Sequence, residues 1–389
     1  SSIWSISTKP PFKPNAQVGE DVNYETSAGD TALIVASRLG NVAIAEELLV
    51  PSDDEDLSSE RIDARRVCVV DYESVRNGET ALIAATLNNN VDCIKLLRRE
   101  GAVFDRFNHR GYTALFACCS SHDTTVDVLE SLLSNGCTAD LRCNGTESTP
   151  LFSAAEVGRN EFVSLLIQRG ADIDHIDSKT GLNALAIAIQ NDNVSVVQTL
   201  VDANVNVNFE FRTGETALTL AVRFGRTTIL EILVSAKKKC DVNRETSTGI
   251  VPLHLAASTG RFECVDVLAK AYEADVNFES KMFKETALIC AAKSGNSEMC
   301  RRLVECSGAD VDFMTKSEGL SALIVACSIN DPDVVRTLID IGADPDLEDA
   351  NVSKQTPLQA CVKVGAFECI VELIECGADP NFETPSTGF

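Results

Sequence analysis

The sequence predicts an all-α solenoid of stacked helix-turn-helix units. Three observations carry that expectation. First, one phrase returns along the chain: "DVNYETSAGDTALIVASRLGN" at 21–41, "NVNFEFRTGETALTLAVRFGR" at 206–226 and "ADVNFESKMFKETALICAAKSGN" at 274–296. A catalytic loop occurs once, whereas a recurring phrase is a building unit. Second, the Thr-Ala/Pro-Leu core of the phrase, altered in places, sets its Leu at 33, 82, 115, 151, 185, 218, 253, 288, 323 and 358, at spacings of 33 to 36 after a first gap of 49. Third, each helical run is only about ten residues, too short to persist alone in water. Its apolar face therefore has to be covered by the next unit.

Within each unit the order is constant. A Gly-rich turn leads to a short apolar helix such as "TALIVASRLGN", a second helix such as "EFVSLLIQRG" follows, and "GADVN" opens the next turn. Thr31, Thr80, Thr113, Thr149, Thr216, Thr286 and Thr356 stand where the first helix starts, as side-chain caps for its free N–H groups. Gly101, Gly136, Gly170, Gly308, Gly342 and Gly377 end the second helix, and Asn204 fills the same slot. That slot suits the residues that tolerate positive φ.

Three segments break the pattern. Residues 50–76 insert about a dozen residues between the first two units and open on Asp53, Asp54, Glu55 and Asp56, which reads as a mobile loop. Residues 1–18 read as an N-terminal extension to an array over 19–383, and 384–389 as the start of a further repeat or a tail. The last phrase stops midway, which implies a longer chain or array.

Composition narrows the function. Hydrophobic residues make up 44% of the 389 residues and aromatics only 5%, which suits many small cores. The net charge of −24 argues against a chain-wide phosphate-binding role and favours Lys/Arg-rich partners. No stretch is long and apolar enough for a membrane span, and residues 1–14 lack the pattern of a secretory signal. Most of the fifteen cysteines sit inside apolar helical runs such as "LICAAK" and "IVACS", as small buried hydrophobes. They imply a reducing compartment, cytoplasmic or else nuclear, against the weak contrary signal of the sequons at Asn144, Asn193 and Asn351.

The units resemble ankyrin repeats. Residues 251–277, "VPLHLAASTGRFECVDVLAKAYEADVN", carry nearly the whole pattern, including a Pro-Leu-His-x-Ala core with His254. The resemblance covers about ten units over residues 19–383. It implies β-hairpin finger loops between helix pairs, here lengthened in several units, and a rod on the order of 100 Å if each pair advances roughly 10 Å. It also implies protein binding on a concave surface of finger tips and inner helices. Residues just before the Gly that ends the inner helix point there: Arg38/Leu39, Leu87/Asn88, Glu156/Val157, Gln190/Asn191, Arg223/Phe224, Ser258/Thr259, Lys293/Ser294, Ser328/Ile329 and Lys363/Val364. Finger tips add Asp30, Glu79, Tyr112, Glu215 and Glu285. Arg and aromatic residues dominate binding hot spots, which puts Arg223 and Phe224 first.

One slot of the finger departs from the family, where it is usually small. Tyr24, Phe209, Phe278, Phe313 and Phe382 occupy it, followed by Glu25, Glu210, Glu279 and Glu383 in four cases. Each ring either packs on the adjacent finger or joins an aromatic and acidic ladder for a basic peptide. The expected binding residues are therefore Arg38, Arg223, Phe224, Lys293, Glu79, Tyr112, Glu210, Glu215, Phe278, Glu279 and Glu285.

Catalysis has little support. There is no phosphate-binding Gly-x-x-x-x-Gly-Lys-Ser/Thr loop, no cofactor motif, and no nucleophile pattern around His109, His122, His175 or His254. The best metal candidate gathers His109, Cys118, Cys119, His122, Cys137 and Cys143. However, Cys118 and Cys119 take the slots of Ala291 and Ala292 in a later unit, and adjacent helical residues point about 100° apart. The expectation is a non-catalytic binding module. The alternatives are an architectural or autoinhibitory segment of a larger signalling protein with a kinase, GTPase or channel domain, and, more remotely, a zinc- or thiol-dependent enzyme.

Overall fold

The computed structural model describes residues 22–49, 68–76, 78–144, 147–236, 240–271, 274–349 and 354–382. Most of the acidic insertion, both terminal segments, Glu383 and Asn351 lie outside the described residues. The chain divides into two compact units, residues 1–150 and 151–389.

The first unit holds three helix pairs: α1 (Ala32–Leu39) with α2 (Val42–Leu49), α3 (Ala81–Leu87) with α4 (Val91–Arg99), and α5 (Ala114–Ser120) with α6 (Val126–Ser134). α7 (Pro150–Val157) begins at the division and opens the second unit, paired with α8 (Asn160–Gln168). Then follow α9 (Ala184–Gln190) with α10 (Val194–Asp202), α11 (Ala217–Phe224) with α12 (Thr227–Val234), and α13 (Pro252–Ser258) with α14 (Phe262–Ala269). The last pairs are α15 (Ala287–Lys293) with α16 (Ser297–Glu305), α17 (Ala322–Ile329) with α18 (Pro332–Asp340), and α19 (Pro357–Val364) with α20 (Phe367–Glu375). Odd helices pack on odd and even on even: α1–α3–α5 and α2–α4–α6 in the first unit, and α9 through α19 beside α8 through α20 in the second.

The stacking obeys the short-helix argument. The residue four after each phrase Leu is Ser37, Thr86, Cys119, Ala155, Ile189, Val222, Ala257, Ala292 and Cys327, and every one is 0% exposed. The tenth, Val362, is 64% exposed. Val362 is the one with no following helix pair among the described residues to cover it.

Side-chain caps begin eight of the odd helices, while α13 starts at Val251 with no side-chain cap. Thr31, Thr80, Thr113, Thr216, Thr286 and Thr356 accept the N–H three residues on, and Asn183 and Ser321 do the same. Thr149 lies buried directly before Pro150. At the far end, backbone carbonyls are left without helical partners, and the next repeat supplies donors. The Asn90 amide reaches back to Ser37 O (2.8 Å) and Arg38 O (2.9 Å). Asn193 does the same to Ala155 O (2.8 Å) and Glu156 O (3.2 Å). This approach needs Gly40, whose φ is +68° and whose added Cβ would lie 2.6 Å from Asn90 Oδ1.

The fingers fold as turns closed by one backbone bond at their base. Ten such closures, from Thr26 N to Asp30 O through Asp349 N to Gln355 O, span 2.8–3.1 Å. The only β-pairing among the described residues is the isolated bridge Glu73–Thr80, because the fingers are too short for a ladder.

Candidate partner-binding surface

The C-terminal ends of the odd helices carry the residues that sequence reasoning singled out, and the structure ties their charges together. Arg38 bonds both Asp30 of its own finger (2.6 Å) and Glu79 of the next (2.7 Å). Those carboxylates raise its pKa, Asp30 contributing most. Arg223 pairs with Glu215 at 2.5 Å. Lys293 pairs with Glu285, which likewise raises the lysine pKa. In three repeats, then, an acid just before the helix N-cap meets a cation eight residues later. The basic palm and the acidic finger tips are one set of ion pairs, not two separate surfaces.

Exposed apolar side chains stand at the same helix ends, two of them directly after Arg38 and Arg223. Leu39, Phe224, Ile329 and Val364 all sit six residues after the phrase Leu, and each is exposed. In the first unit Glu79, Leu87 and Tyr112 line a cleft of about 330 Å³ with Ile83, Asn108 and Arg110, and the Tyr112 ring stacks on Phe116 at 5.2 Å.

Glu210, Phe278 and Glu279 lie elsewhere, at the roots of the fingers, where each braces a neighbour. Glu210 accepts from Ser247 N at 2.9 Å and from its hydroxyl. Glu279 accepts from Lys316 N (2.7 Å) and Ser317 Oγ (2.5 Å). Burial alone would raise the Glu279 pKa, but these donors outweigh it and the net shift is downward. Glu25 grips the next finger through Ser74 Oγ (2.9 Å), Tyr72 Oη (3.0 Å) and Val75 N (3.1 Å). The aromatic residues have internal partners too: Phe209 lies 5.5 Å from Phe211, and the Phe278 carbonyl accepts from His254 Nε2 at 2.9 Å. That bond assigns the Nε2–H tautomer to His254, and burial lowers its pKa.

Sequence reasoning missed two members of this bracing. Glu73, which follows Tyr72 and accepts from His109 N, and Glu245, which follows Arg244 rather than an aromatic, act like Glu25; Glu245 takes Ser280 Oγ, Lys281 N and Met282 N at 2.7–2.8 Å. The second is the Asp-x-Asn/Asp element of the "GADVN" phrase. Its first side chain forms a local turn with the residue two on, as Asp275 does with Asn277 N (3.0 Å). Its second reaches the next repeat: Asn208 to Asp241 N (3.1 Å), Asn243 to Asp275 N (2.9 Å), Asn277 to Asp310 N (2.9 Å), Asp312 to Asp344 N (3.0 Å) and Asp346 to Asp379 N (3.0 Å). The recurrence was visible as "DVN", but its partner lies 32 or 33 residues away.

All fifteen cysteines are free thiols and most are buried. Burial raises the Cys143 pKa to about 12 and raises that of Cys137 as well, the opposite of what a nucleophile needs. Among the described residues no group of three or more His, Cys, Asp and Glu is placed to hold a metal ion. Among them, too, no helix is long and apolar enough to cross a membrane.

Comparison with known proteins agrees with this architecture. The family model described as ankyrin repeats (3 copies) matches residues 57–142, 123–211, 204–280, 253–349 and 288–384. The B-cell lymphoma 3 protein homolog of Mus musculus is 31% identical over 209 residues, 53% of this chain and 44% of that protein. The ankyrin repeat protein nuc-2 of Neurospora crassa is 27% identical over 222 residues, 57% of this chain and 19% of its own. The chain thus matches less than half the length of these curated relatives. The crystal structure of the ankyrin repeat domain of Bcl-3, described as a unique member of the IkappaB protein family, superposes with a TM-score of 0.53 at 28% identity, over 59% of this chain and 99% of that one. A unit that recurs ten times, capped by Thr, stacked pair on pair and matched by the family model along most of its length, places this chain in the ankyrin repeat family.

Proposed function

We propose that the chain binds a protein partner across the ends of its odd helices, without catalysis of its own. One observation carries the reading. The slot six residues after the phrase Leu holds an exposed Leu39, Phe224, Ile329 or Val364, and at Leu39 and Phe224 the preceding Arg is already ion-paired with carboxylates. Within each unit, apolar side chains fixed on stacked helices can engage a partner with little ordering loss. Arg38, Glu79 and Tyr112 contribute in the first unit; Arg223, Phe224, Lys293, Glu215 and Glu285 contribute in the second. Glu210, Phe278 and Glu279 act from behind by bracing the fingers. A Lys/Arg-rich partner suits the net charge of −24, and its binding should weaken with salt. The buried free thiols suit a reducing compartment, cytoplasm or nucleus.

The test is cross-linking mass spectrometry in native extract, repeated with Phe224→Ala and with Leu39→Ser. Loss of a cross-linked partner with an unchanged circular dichroism spectrum supports the reading. Retention of every partner by both variants ends it. Charge reversal at Glu210, Glu215, Glu279 or Glu285 is a poor substitute, since each holds the scaffold.

A second reading, an architectural or autoinhibitory segment of a larger signalling protein, is favoured by the face of α19 and α20. Phe367 and Val362 are exposed there, 72% and 64% respectively, and a further domain seated on them would be stabilised by their burial.

A further inference from the structure

The finger from Ser280 to Glu285 differs from its neighbours. Other tips read Lys179-Thr180-Gly181, Arg212-Thr213-Gly214, Ser247-Thr248-Gly249 and Ser317-Glu318-Gly319, whereas this one reads Lys281-Met282-Phe283-Lys284. Lys284 holds the left-handed slot, φ +59°, that Gly181 and Gly319 take without strain. Met282 and Phe283 are 55% and 56% exposed.

The tip is also rigidly held. Glu245 grips three of its groups from behind, Phe283 N donates to Ser280 Oγ at 3.0 Å, and Ser280 N closes the base on Glu285 O at 2.9 Å. Beneath it Gly249 leaves the room that two large side chains need; an added Cβ would lie 2.5 Å from the Phe283 ring and 2.7 Å from Met282 Sδ. So much fixing, and the apolar pair still faces outward.

A cleft flanks the finger on either side. One, of about 670 Å³, is lined by Arg244, Lys281 and Met282 among others. The other, of about 560 Å³, is lined by Phe278, Lys281, Lys284, Phe313 and Lys316. Arg244, Lys281, Lys284 and Lys316 form no ion pair among the described residues. The intervening Glu245 and Glu279 turn their oxygens to N–H and hydroxyl donors of the adjacent finger. Asp241 and Asp275 also line the clefts, each turning an oxygen to the N–H two residues on, so the four cations ring the apolar tip with no carboxylate among the described residues bonded to them.

We propose that this finger and its two clefts bind a protein segment in which carboxylates flank a bulky apolar side chain. The apolar residue packs on Met282, whose flexible thioether adapts to irregular surfaces, and on the Phe283 ring, while the carboxylates meet the four cations. An anionic bilayer is the competing occupant, but the chain's net charge of −24 opposes its approach. The two clefts are lined by none of the residues at the ends of the odd helices, and they take a partner of opposite charge.

Fluorescence anisotropy on the purified chain decides the matter. The probes are a labelled octapeptide of acidic residues around a central Leu-Phe, its lysine counterpart, and the acidic peptide with Ser-Ser at the centre. The acidic Leu-Phe probe should bind about tenfold or more tightly than either control, and the M282S/F283S double variant should lose about tenfold. K281E/K284E should lose a similar factor, while Phe224→Ala, which lines neither cleft, should change nothing. Both tip residues are exposed, so M282S/F283S should keep the wild-type circular dichroism spectrum. The proposal is overturned if no probe saturates, if the lysine probe binds as well, if M282S/F283S binds as the wild type, or if phosphatidylserine vesicles bind in preference to the peptide.

Discussion

Val222 and Val362 occupy the same slot of the repeat, four residues after the phrase Leu, on α11 and α19. Val222 is 0% exposed and Val362 is 64% exposed. Changing each to Ala removes two methyl groups from the same helical position. At about 0.8 kcal/mol per buried carbon, the lost transfer energy at Val222 is about 1.6 kcal/mol. The cavity left between α11 and α13 adds about 1 kcal/mol where the walls do not collapse. The better helix propensity of Ala returns about 0.5 kcal/mol at both sites and leaves Val222→Ala destabilising by about 2 kcal/mol. At Val362 only about a third of the transfer energy is at stake and no cavity forms, so the propensity gain offsets the loss and the net change is near zero. Repeat arrays depart from two-state unfolding, so urea midpoints should be accompanied by amide hydrogen exchange on α11 and α19. Exchange in α11 should accelerate by about 30-fold in Val222→Ala, with α19 scarcely altered in Val362→Ala. Equal destabilisation by the two variants would refute the claim that each repeat is buried by the one that follows it.

Three further outcomes follow from the bracing between fingers. Asn277→Ala removes the acceptor of Asp310 N and should destabilise the second unit by about 1–2 kcal/mol, with faster exchange of the Asp310 amide in NMR spectra. His254 is neutral in the fold and its pKa is lowered by burial, so the unfolded chain takes up its proton first. The His254 contribution to stability should therefore be complete above the ordinary histidine pKa and decline as pH falls below it, a slope that urea titrations of His254→Gln should lack. For Glu245 and Glu279 the net pKa shift is downward despite burial, because backbone and hydroxyl donors outweigh it. Protection of the Met282 and Lys316 amides should hold above the ordinary glutamate pKa and fail as pH drops through the lowered values.

How much was legible depended on the distance over which each residue acts. Thr caps, Gly stops and the short helices are local, so the Thr31 and Gly101 slots could be placed before any coordinates. Their repetition also implied the stacking that buries Ile189 and Ala257 completely. The roles of Glu210 and Glu279 were not legible, because an acidic side chain on a finger reads alike whether it faces solvent or a backbone N–H of the adjacent finger. The same limit hid Glu245, and it hid the pairing of Arg38 with Glu79, 41 residues away. The tip at Met282 and Phe283 was not legible either, since an apolar residue in a repeat reads alike whether it is buried or exposed.

The sequence by itself determined that this is an array of stacked helix pairs, because a period of 33 to 36 residues, a cap and an apolar stripe are all written in near neighbours. Only the tertiary structure decided which charges are available to a partner. Ion pairs and side-chain-to-backbone bonds form between residues one repeat apart, and that register exists only once the helix pairs have stacked.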